Sequence, residues 1–157
     1  GVIDFIVSDH SPCTPQLKAI DSGDIGDAWG GISALQFGLA LIWTEGQKRG
    51  FDLTQITRLM AQRPAEIAGL GAFKGQIATG YDADFCVFDC TATQTVTAET
   101  IKHKHKISPY LGKTLQGKVL QTWLRGKPIY QHDEYTGEAR GKSLLRGHTF
   151  TLPKGIQ

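Results

Sequence analysis

The chain has no long apolar run, and this limits what it can bind. No stretch reaches the roughly 18 consecutive apolar residues that a membrane-spanning helix needs, so we expect no membrane partner. The excess of one sign of charge over the other is also small, because 17 Lys and Arg against 15 Asp and Glu leave a net charge of +2. So small an excess does not predict binding to nucleic acid.

Cysteine is scarce as well. The three residues Cys13, Cys86 and Cys90 are an odd, widely spaced set, which predicts no disulfide framework and favours a reducing compartment. We expect a cytoplasmic location and leave a peroxisomal one open. The sequence also begins inside an apolar segment, without the basic region or initiating Met of a signal peptide. We therefore interpret it as the C-terminal piece of a longer protein.

The first fifteen residues carry the clearest chemical signal. Residues 3–7 are β-branched and aromatic apart from Asp4, which predicts a strand buried on both faces, and Pro12 and Pro15 follow it. Asp9 stands where this strand ends, and α/β barrels carry their chemistry at that edge. The alternative is a loop carboxylate that caps local backbone amides.

The rest of the chain divides into a region with helical patterns and a region with strand patterns. The apolar spacing predicts a helix over Ile32–Gln47, with a buried face of Ile32, Leu35, Leu39, Ile42 and Trp43. Either a capping box of Ser33 and Gln36 or Gly31 could start this helix. Asp52 with Gln55 predicts a second N-terminus, and Pro64 restarts a short helix. From residue 72 the chain predicts strands, including Phe85–Asp89 and a hairpin of the II′ kind through Gly126-Lys127. The tail from Tyr135 is expected to be extended and exposed.

Four segments together resemble the amidohydrolase superfamily and, within it, the cyclic-amide hydrolases. They are SDHSPC (8–13), AWGGIS (28–33), KGQIATGYDAD (74–84) and HKHKISPYLG (103–112). The third is similar to a superfamily motif, whereas the others look most like the allantoinase family. The resemblance runs from about Val2 to Tyr130. It implies an α/β fold: the C-terminal part of a (β/α)8 TIM-barrel metal-dependent hydrolase plus a small β-sandwich lobe. Residues 1–71 would be the last strand and C-terminal helices of the barrel, and residues 72–157 the sandwich lobe and tail.

The resemblance also implies a reaction and a site. The reaction is hydrolysis of a cyclic amide, allantoin to allantoate in purine catabolism, by a hydroxide that a binuclear divalent metal centre activates, with zinc as the family's default. Asp9 matches a metal-contacting proton shuttle, while Trp29, Gly30 and Gly31 match the substrate side. Adjacent residues leaving a strand point to opposite sides, so we expect His10 either to bind substrate or to support the site from behind the metal ligands, with a structural hydrogen bond as the alternative. The other ligands, including a carboxylated lysine, lie outside this chain. We therefore expect the chain to be inactive alone.

Alternatives remain open at this stage. The parent enzyme could be a hydantoinase (dihydropyrimidinase) or a dihydroorotase, or the protein could be a non-catalytic scaffold or assembly partner. His103 and His105 form an H-x-H, but three lysines around them disfavour metal binding. Cys13 beside His10 is not expected to act as a nucleophile. The expected partners are a small-molecule cyclic ureide and, in the full-length protein, further copies of the same chain.

Overall fold

The computed structural model describes residues 2–145, which divide into two compact units. The first unit contains residues 2–6, 50–89 and 119–145, and the second contains residues 7–49 and 90–118. The helices are α1 (Gly38–Gly46), α2 (Leu53–Thr57) and α3 (Arg63–Ile67), and the strands are β1 (Phe85–Thr95), β2 (Thr114–Leu124), β3 (Lys127–Gln131) and β4 (Glu134–Tyr135). The strands form one sheet in the order β1-β2-β3-β4. Among residues 2–145, no helix has the length and apolar character that crossing a membrane requires.

The helices of the first unit begin as the sequence predicts. The Asp52 carboxylate accepts the Gln55 N–H at 2.8 Å and the Gln55 side chain accepts the Asp52 N–H at 2.9 Å. This reciprocal pair is the predicted capping box. Between α2 and α3 the chain makes a π-helical turn, Arg58–Gln62, and Pro64 lies in the first turn of α3. The buried residue of α2 is Ile56, which joins Ala65 and Phe73 in the core of this unit.

A buried charge cluster joins the turn-rich segment of the first unit to its hairpin. The Lys74 ammonium contacts the carboxylates of Asp82, at 2.7 Å, and of Asp84. Asp84 also accepts the backbone N–H of Arg125 at 2.8 Å, and the Ala83 carbonyl accepts that of Gly126 at 2.8 Å. Burial alone would lower the pKa of Lys74, but the hydrogen bonds to the two carboxylates outweigh it and raise that pKa.

The β2–β3 hairpin turns one residue earlier than predicted. Leu124 pairs with Lys127, so the two-residue loop is Arg125-Gly126 rather than Gly126-Lys127. Both loop residues have positive φ, 46° and 74°. Positive φ at both positions is the I′ and not the II′ conformation. The predicted turn type was therefore wrong, because Asp84 and Ala83 bind the two loop amides and determine where the chain reverses.

The second unit buries the predicted helix face only in part, since Leu39, Ile42 and Trp43 are half-buried. The helix α1 begins at Gly38, after a 3₁₀ turn at Leu35–Phe37, and Phe37 and Ala40 are buried, whereas Ile32 and Leu35 are 44% and 64% exposed. The predicted Ser33–Gln36 capping box is absent within residues 2–145. The Gln36 amide instead donates to the Thr100 carbonyl and accepts the Lys102 N–H, both at 2.7 Å. The core of this unit is completed by Cys13, Ala34, Val96, Ile101 and Leu115.

The predicted first strand does not form within the described residues, and much of it is exposed. Ile3 is 65% and Val7 60% exposed, and within residues 2–145 no strand pairs along residues 2–9. A strand buried on both faces needs hydrogen-bonded neighbours and covering helices, and the described residues supply mainly a bond from the Ile6 N–H to the Leu59 carbonyl, 2.9 Å. The predicted tail is exposed over residues 136–145, and the rest of it lies outside the described residues. The boundary predicted between residues 71 and 72 stays a prediction.

Candidate functional site

Asp9 directly follows the apolar segment of residues 3–7 and Ser8. Its φ is 44°, in the left-handed region that Asp tolerates better than most residues. The side chain is exposed, and within residues 2–145 its carboxylate makes no hydrogen bond or ion pair. A carboxylate that capped local amides would show such a bond. The capping alternative therefore finds no support, and the carboxylate is available to a ligand.

His10, next in the chain, is bonded to the protein. Its ring Nδ1 accepts the backbone N–H groups of Ala34, at 3.1 Å, and Leu35, at 3.2 Å. Its backbone forms a parallel bridge with Ile32, and the N–H of Ser11 donates to the Ile32 carbonyl at 3.0 Å. These bonds join the segment that follows Asp9 to the end of the glycine-containing loop.

The loop Trp29–Ile32 is held along its length by side chains of the same unit. The Lys18 ammonium donates to the carbonyls of Trp29, at 2.6 Å, and Gly31. The Trp29 indole N–H donates to Ser11 Oγ at 3.3 Å. A Cβ on Gly31 would collide with that same Oγ and lie 2.7 Å from the Ser11 carbonyl oxygen, so only glycine allows this approach of the two segments. The structure thus brings the predicted residues Asp9, His10, Trp29, Gly30 and Gly31 into one contiguous part of the second unit.

Gly30 differs from its neighbour. A Cβ built there meets no atom within 4 Å, and within residues 2–145 its peptide groups have no hydrogen-bond partner. The adjacent Trp29 side chain is 49% exposed. Open backbone beside an exposed indole is able to bind a planar polar ligand by hydrogen bonds and ring contact.

The structure adds one residue that the site prediction missed. The His103 ring packs edge-on against the His10 ring, with centroids 5.4 Å apart and planes at 69°. The segment around it is attached to the residue that follows the loop, because Ser108 Oγ donates to the Ser33 carbonyl at 2.8 Å. Within the segment itself, the Lys106 ammonium donates to the Ile101 carbonyl at 2.6 Å. The signal was available in the HKHKISPYLG segment, but spacing alone does not say which residue it faces.

Among residues 2–145, no group of three His, Cys, Asp or Glu side chains could hold a metal ion. Asp9 is the exposed carboxylate at the candidate site, so these residues offer one ligand and not a complete centre. The three cysteines are all unpaired, and Cys13 is buried in the core of the second unit. No catalytic pair is formed from them in the described part of the chain.

Comparisons with known proteins agree on one family. The profile of the Amidohydrolase family matches residues 29–130. The chain is 46% identical over 146 residues to an allantoinase from Streptomyces avermitilis, which covers 93% of this chain and 32% of that protein. It is 44% identical to a probable allantoinase 2 from Dictyostelium discoideum, covering 94% of this chain and 30% of that one.

A solved structure shows the same architecture. An L-hydantoinase (dihydropyrimidinase) from Arthrobacter aurescens superposes with a TM-score of 0.81 at 29% identity, over 88% of this chain and 31% of the other. The chain thus spans about a third of the length of the relatives it matches. Because the family profile extends over most of the sequence and includes the glycine loop, residues 103–112 and the strands β1 and β2, the chain belongs to the amidohydrolase family.

Proposed function

We propose that this chain is part of an enzyme that hydrolyses a cyclic amide, allantoin to allantoate, with Asp9 as the residue that moves the proton. The observation that carries the proposal is the exposed Asp9 carboxylate, which has no partner within residues 2–145 and directly precedes residues bonded to the glycine loop. Since the chain spans about a third of its relatives, the activity is that of the whole protein.

The proposal includes the fold of that protein. Residues 1–71 are the last strand and C-terminal helices of a (β/α)8 barrel, and residues 72–157 belong to a β-sandwich lobe. The exposure of Ile3 and Val7 supports this, because a barrel strand buries such side chains only between neighbouring strands. The similarity to hydantoinase structures supports it independently.

The proposed chemistry needs a group that these residues hold only in part. Asp9 fits as one ligand of a binuclear divalent metal centre, with zinc as the family's default, because its carboxylate is exposed and has no partner within residues 2–145. The chemistry that such ions supply is acidification of the attacking water. Asp9 accepts a proton from that water and returns it to the ring nitrogen that leaves. The substrate side is formed by Trp29, Gly30 and Gly31, and His10 supports it through its bonds to the backbone N–H groups of Ala34 and Leu35.

Allantoin is the proposed substrate because identity favours it over its rivals. The chain is 42–46% identical to allantoinases, against 24–29% for the hydantoinase and dihydropyrimidinase structures. A hydantoin or dihydropyrimidine is the second candidate, supported by the TM-scores of those structures. A cytoplasmic, homo-oligomeric enzyme is part of the proposal, and the unpaired Cys13, Cys86 and Cys90 are consistent with a reducing compartment.

The test is a substrate comparison with the protein expressed from its full coding sequence. We expect turnover of allantoin to exceed that of hydantoin, dihydrouracil and dihydroorotate, and D9N to lower kcat about 10²- to 10⁴-fold, as loss of a general acid–base does. D21N, which changes another exposed carboxylate of the second unit, is the matched control and keeps wild-type turnover.

Two results would overturn the proposal. Turnover of none of the four substrates by the metal-loaded protein would favour a non-catalytic scaffold, and wild-type activity in D9N would remove Asp9 from the mechanism. The 157-residue chain alone is expected to hydrolyse no allantoin, because one carboxylate does not make a binuclear centre. Hydrolysis by that chain would contradict this.

A further inference from the structure

The His10 ring has one nitrogen that is fully committed to the protein backbone. Nδ1 accepts two N–H groups, from Ala34 at 3.1 Å and from Leu35 at 3.2 Å. An imidazole nitrogen that accepts carries no proton, so the ring proton is on Nε2. With the Nδ1 lone pair used and Nε2 protonated, neither nitrogen is available to a metal ion. His10 therefore acts on the site through the backbone it binds.

The bonds of His10 reach the residues that directly follow the glycine loop. Ala34 is 6% exposed, and Leu35 opens the 3₁₀ turn Leu35–Phe37. The first N–H groups of such a turn lack partners within the turn itself. The backbone bridge of His10 to Ile32 holds the same segment from a second point. The bridge to Ile32 and the bonds to Ala34 and Leu35 together fix the position and the rotation of residues 32–35 relative to His10.

His103 limits how the His10 ring can turn. The two rings meet edge to face at 5.4 Å, an arrangement that aromatic rings favour. Nε2 of His103 lies 3.4 Å from the Ile107 carbonyl, and Ile101, at the start of its segment, is 1% exposed. The His103 ring thus rests on an anchored segment, and rotation of the His10 ring away from Ala34 and Leu35 would give up this contact.

We propose that His10 is a positioning residue of the hydrolytic site, that its Nδ1 holds the glycine loop in register beside Asp9, and that His103 holds the His10 ring in the orientation this requires. The inference rests on the proposed function. It assigns to His10 Nδ1 the task of holding the N–H groups of Ala34 and Leu35. It also gives His103, in the segment of residues 103–106, the role of supporting the His10 ring instead of binding a metal ion.

The test replaces His10 with two amide side chains of different length, so that the hydrogen-bond acceptor lies at different distances from the backbone. In H10N the side-chain oxygen lies close to where Nδ1 was, whereas in H10Q the amide extends toward the position of Nε2. We expect H10N to keep kcat/KM within about threefold of wild type, and H10Q and H10A to lose roughly 10- to 100-fold, the cost of an ångström-scale misplacement. H132N, in the turn before β4, controls for histidine replacement.

The role of His103 is tested by shape. H103F keeps an aromatic edge against His10 and is expected to retain most activity, whereas H103A is expected to lose about 3- to 10-fold. In the H10A background H103A should cost nothing further, since residues that act through one contact are not additive. Equal effects of H103F and H103A, or full additivity with H10A, would contradict the coupling.

A second measurement separates this inference from the proposed function. Amide hydrogen exchange at Ala34 and Leu35 should be slow in wild type and H10N and faster in H10Q, whatever substrate the protein uses. If the wild-type protein hydrolyses none of the ureides but shows this exchange pattern, the proposed function fails and the hydrogen bonds stand. If H10N and H10Q behave alike in both activity and exchange, the positioning role is wrong.

Discussion

The Cβ position of Gly31 lies 2.7 Å from the Ser11 carbonyl oxygen and closer still to Ser11 Oγ. Two segments that are 20 residues apart in the sequence therefore meet at a distance that admits no side chain. One obstacle is backbone, so a rotamer change of Ser11 would not relieve it. The SDHSPC and AWGGIS motifs are one structural feature, and the glycine is what allows them to join.

G31A and G30A make a matched pair for testing this contact. G31A should lower the free energy of unfolding by about 1–3 kcal/mol, as overpacking does, because the loop must move away from Ser11. G30A should leave thermal stability unchanged, since its Cβ meets open space, yet raise KM if Gly30 contacts the substrate. Thermal melts and steady-state kinetics on both variants give the answer. Equal melting temperatures for G31A and wild type would contradict the clash.

The buried Lys74 cluster is expected to stabilise the first unit. K74M leaves the carboxylates of Asp82 and Asp84 without their cation in a site where the Asp82 side chain is 8% exposed. Removing one partner of a buried pair costs roughly 3 kcal/mol or more, and urea denaturation would measure it. The control is K48M, because the side chains of the Lys48–Glu45 pair are 62% and 56% exposed, and so exposed a pair contributes little. Similar midpoints for K74M and K48M would show that the cluster is not stabilising.

The hairpin turn predicts a stabilising substitution. Arg125 has φ 46° at the first position of a I′ turn, where Asn is favoured and most other residues are strained. R125N should raise the free energy of unfolding by about 0.5–1 kcal/mol relative to R125A. R125A loses the same guanidinium contact with the Arg140 carbonyl but keeps the strain. A midpoint for R125N at or below that of R125A would mean that the backbone is not strained there.

Local signals predicted the parts of the fold that local chemistry determines. Asp52 and Gln55 carry their capping box in the sequence, and the predicted strand Phe85–Asp89 forms the first part of β1. The errors came from hydrogen-bond partners that lie too far away in the sequence for a local pattern to include them. Gln36 binds Thr100 and Lys102 rather than Ser33, and the hairpin turns where Asp84 and Ala83 bind its amides. Such bonds join residues 41 to 66 positions apart, so periodicity could not find them.

The candidate site shows the same division. Motif similarity grouped Asp9 with the loop of Trp29, Gly30 and Gly31, and the structure places them in one unit. A structural hydrogen bond of His10 was one of the alternatives, but the sequence did not say that its partners would be the amides of Ala34 and Leu35, or that His103 would contact its ring. Those relationships depend on the three-dimensional packing of the 97–110 segment, and the sequence of that segment names no partner.

Tyr130 predicts how stability changes at alkaline pH. Burial and the hydrogen bond to Asp133, 3.0 Å, raise the pKa of its phenol from 10.0 to about 12. Between these values the phenol loses its proton in the unfolded chain and keeps it in the folded one. The contribution of Tyr130 to the free energy of unfolding is therefore fully present below pH 10 and is lost as the pH rises to 12.

Absorbance titration of phenolate in the folded protein should show one late step that Y130F removes, and Y130F should flatten the loss of stability across that interval. The pKa of Lys74 is also raised in the folded protein, so the stability that Lys74 contributes is likewise lost as the pH rises through that pKa. The free energy of unfolding of Y130F should therefore still fall with pH, but less steeply than that of wild type. If Y130F and wild type lose stability identically between pH 10 and 12, the phenol does not titrate late and the bond to Asp133 is not formed in solution.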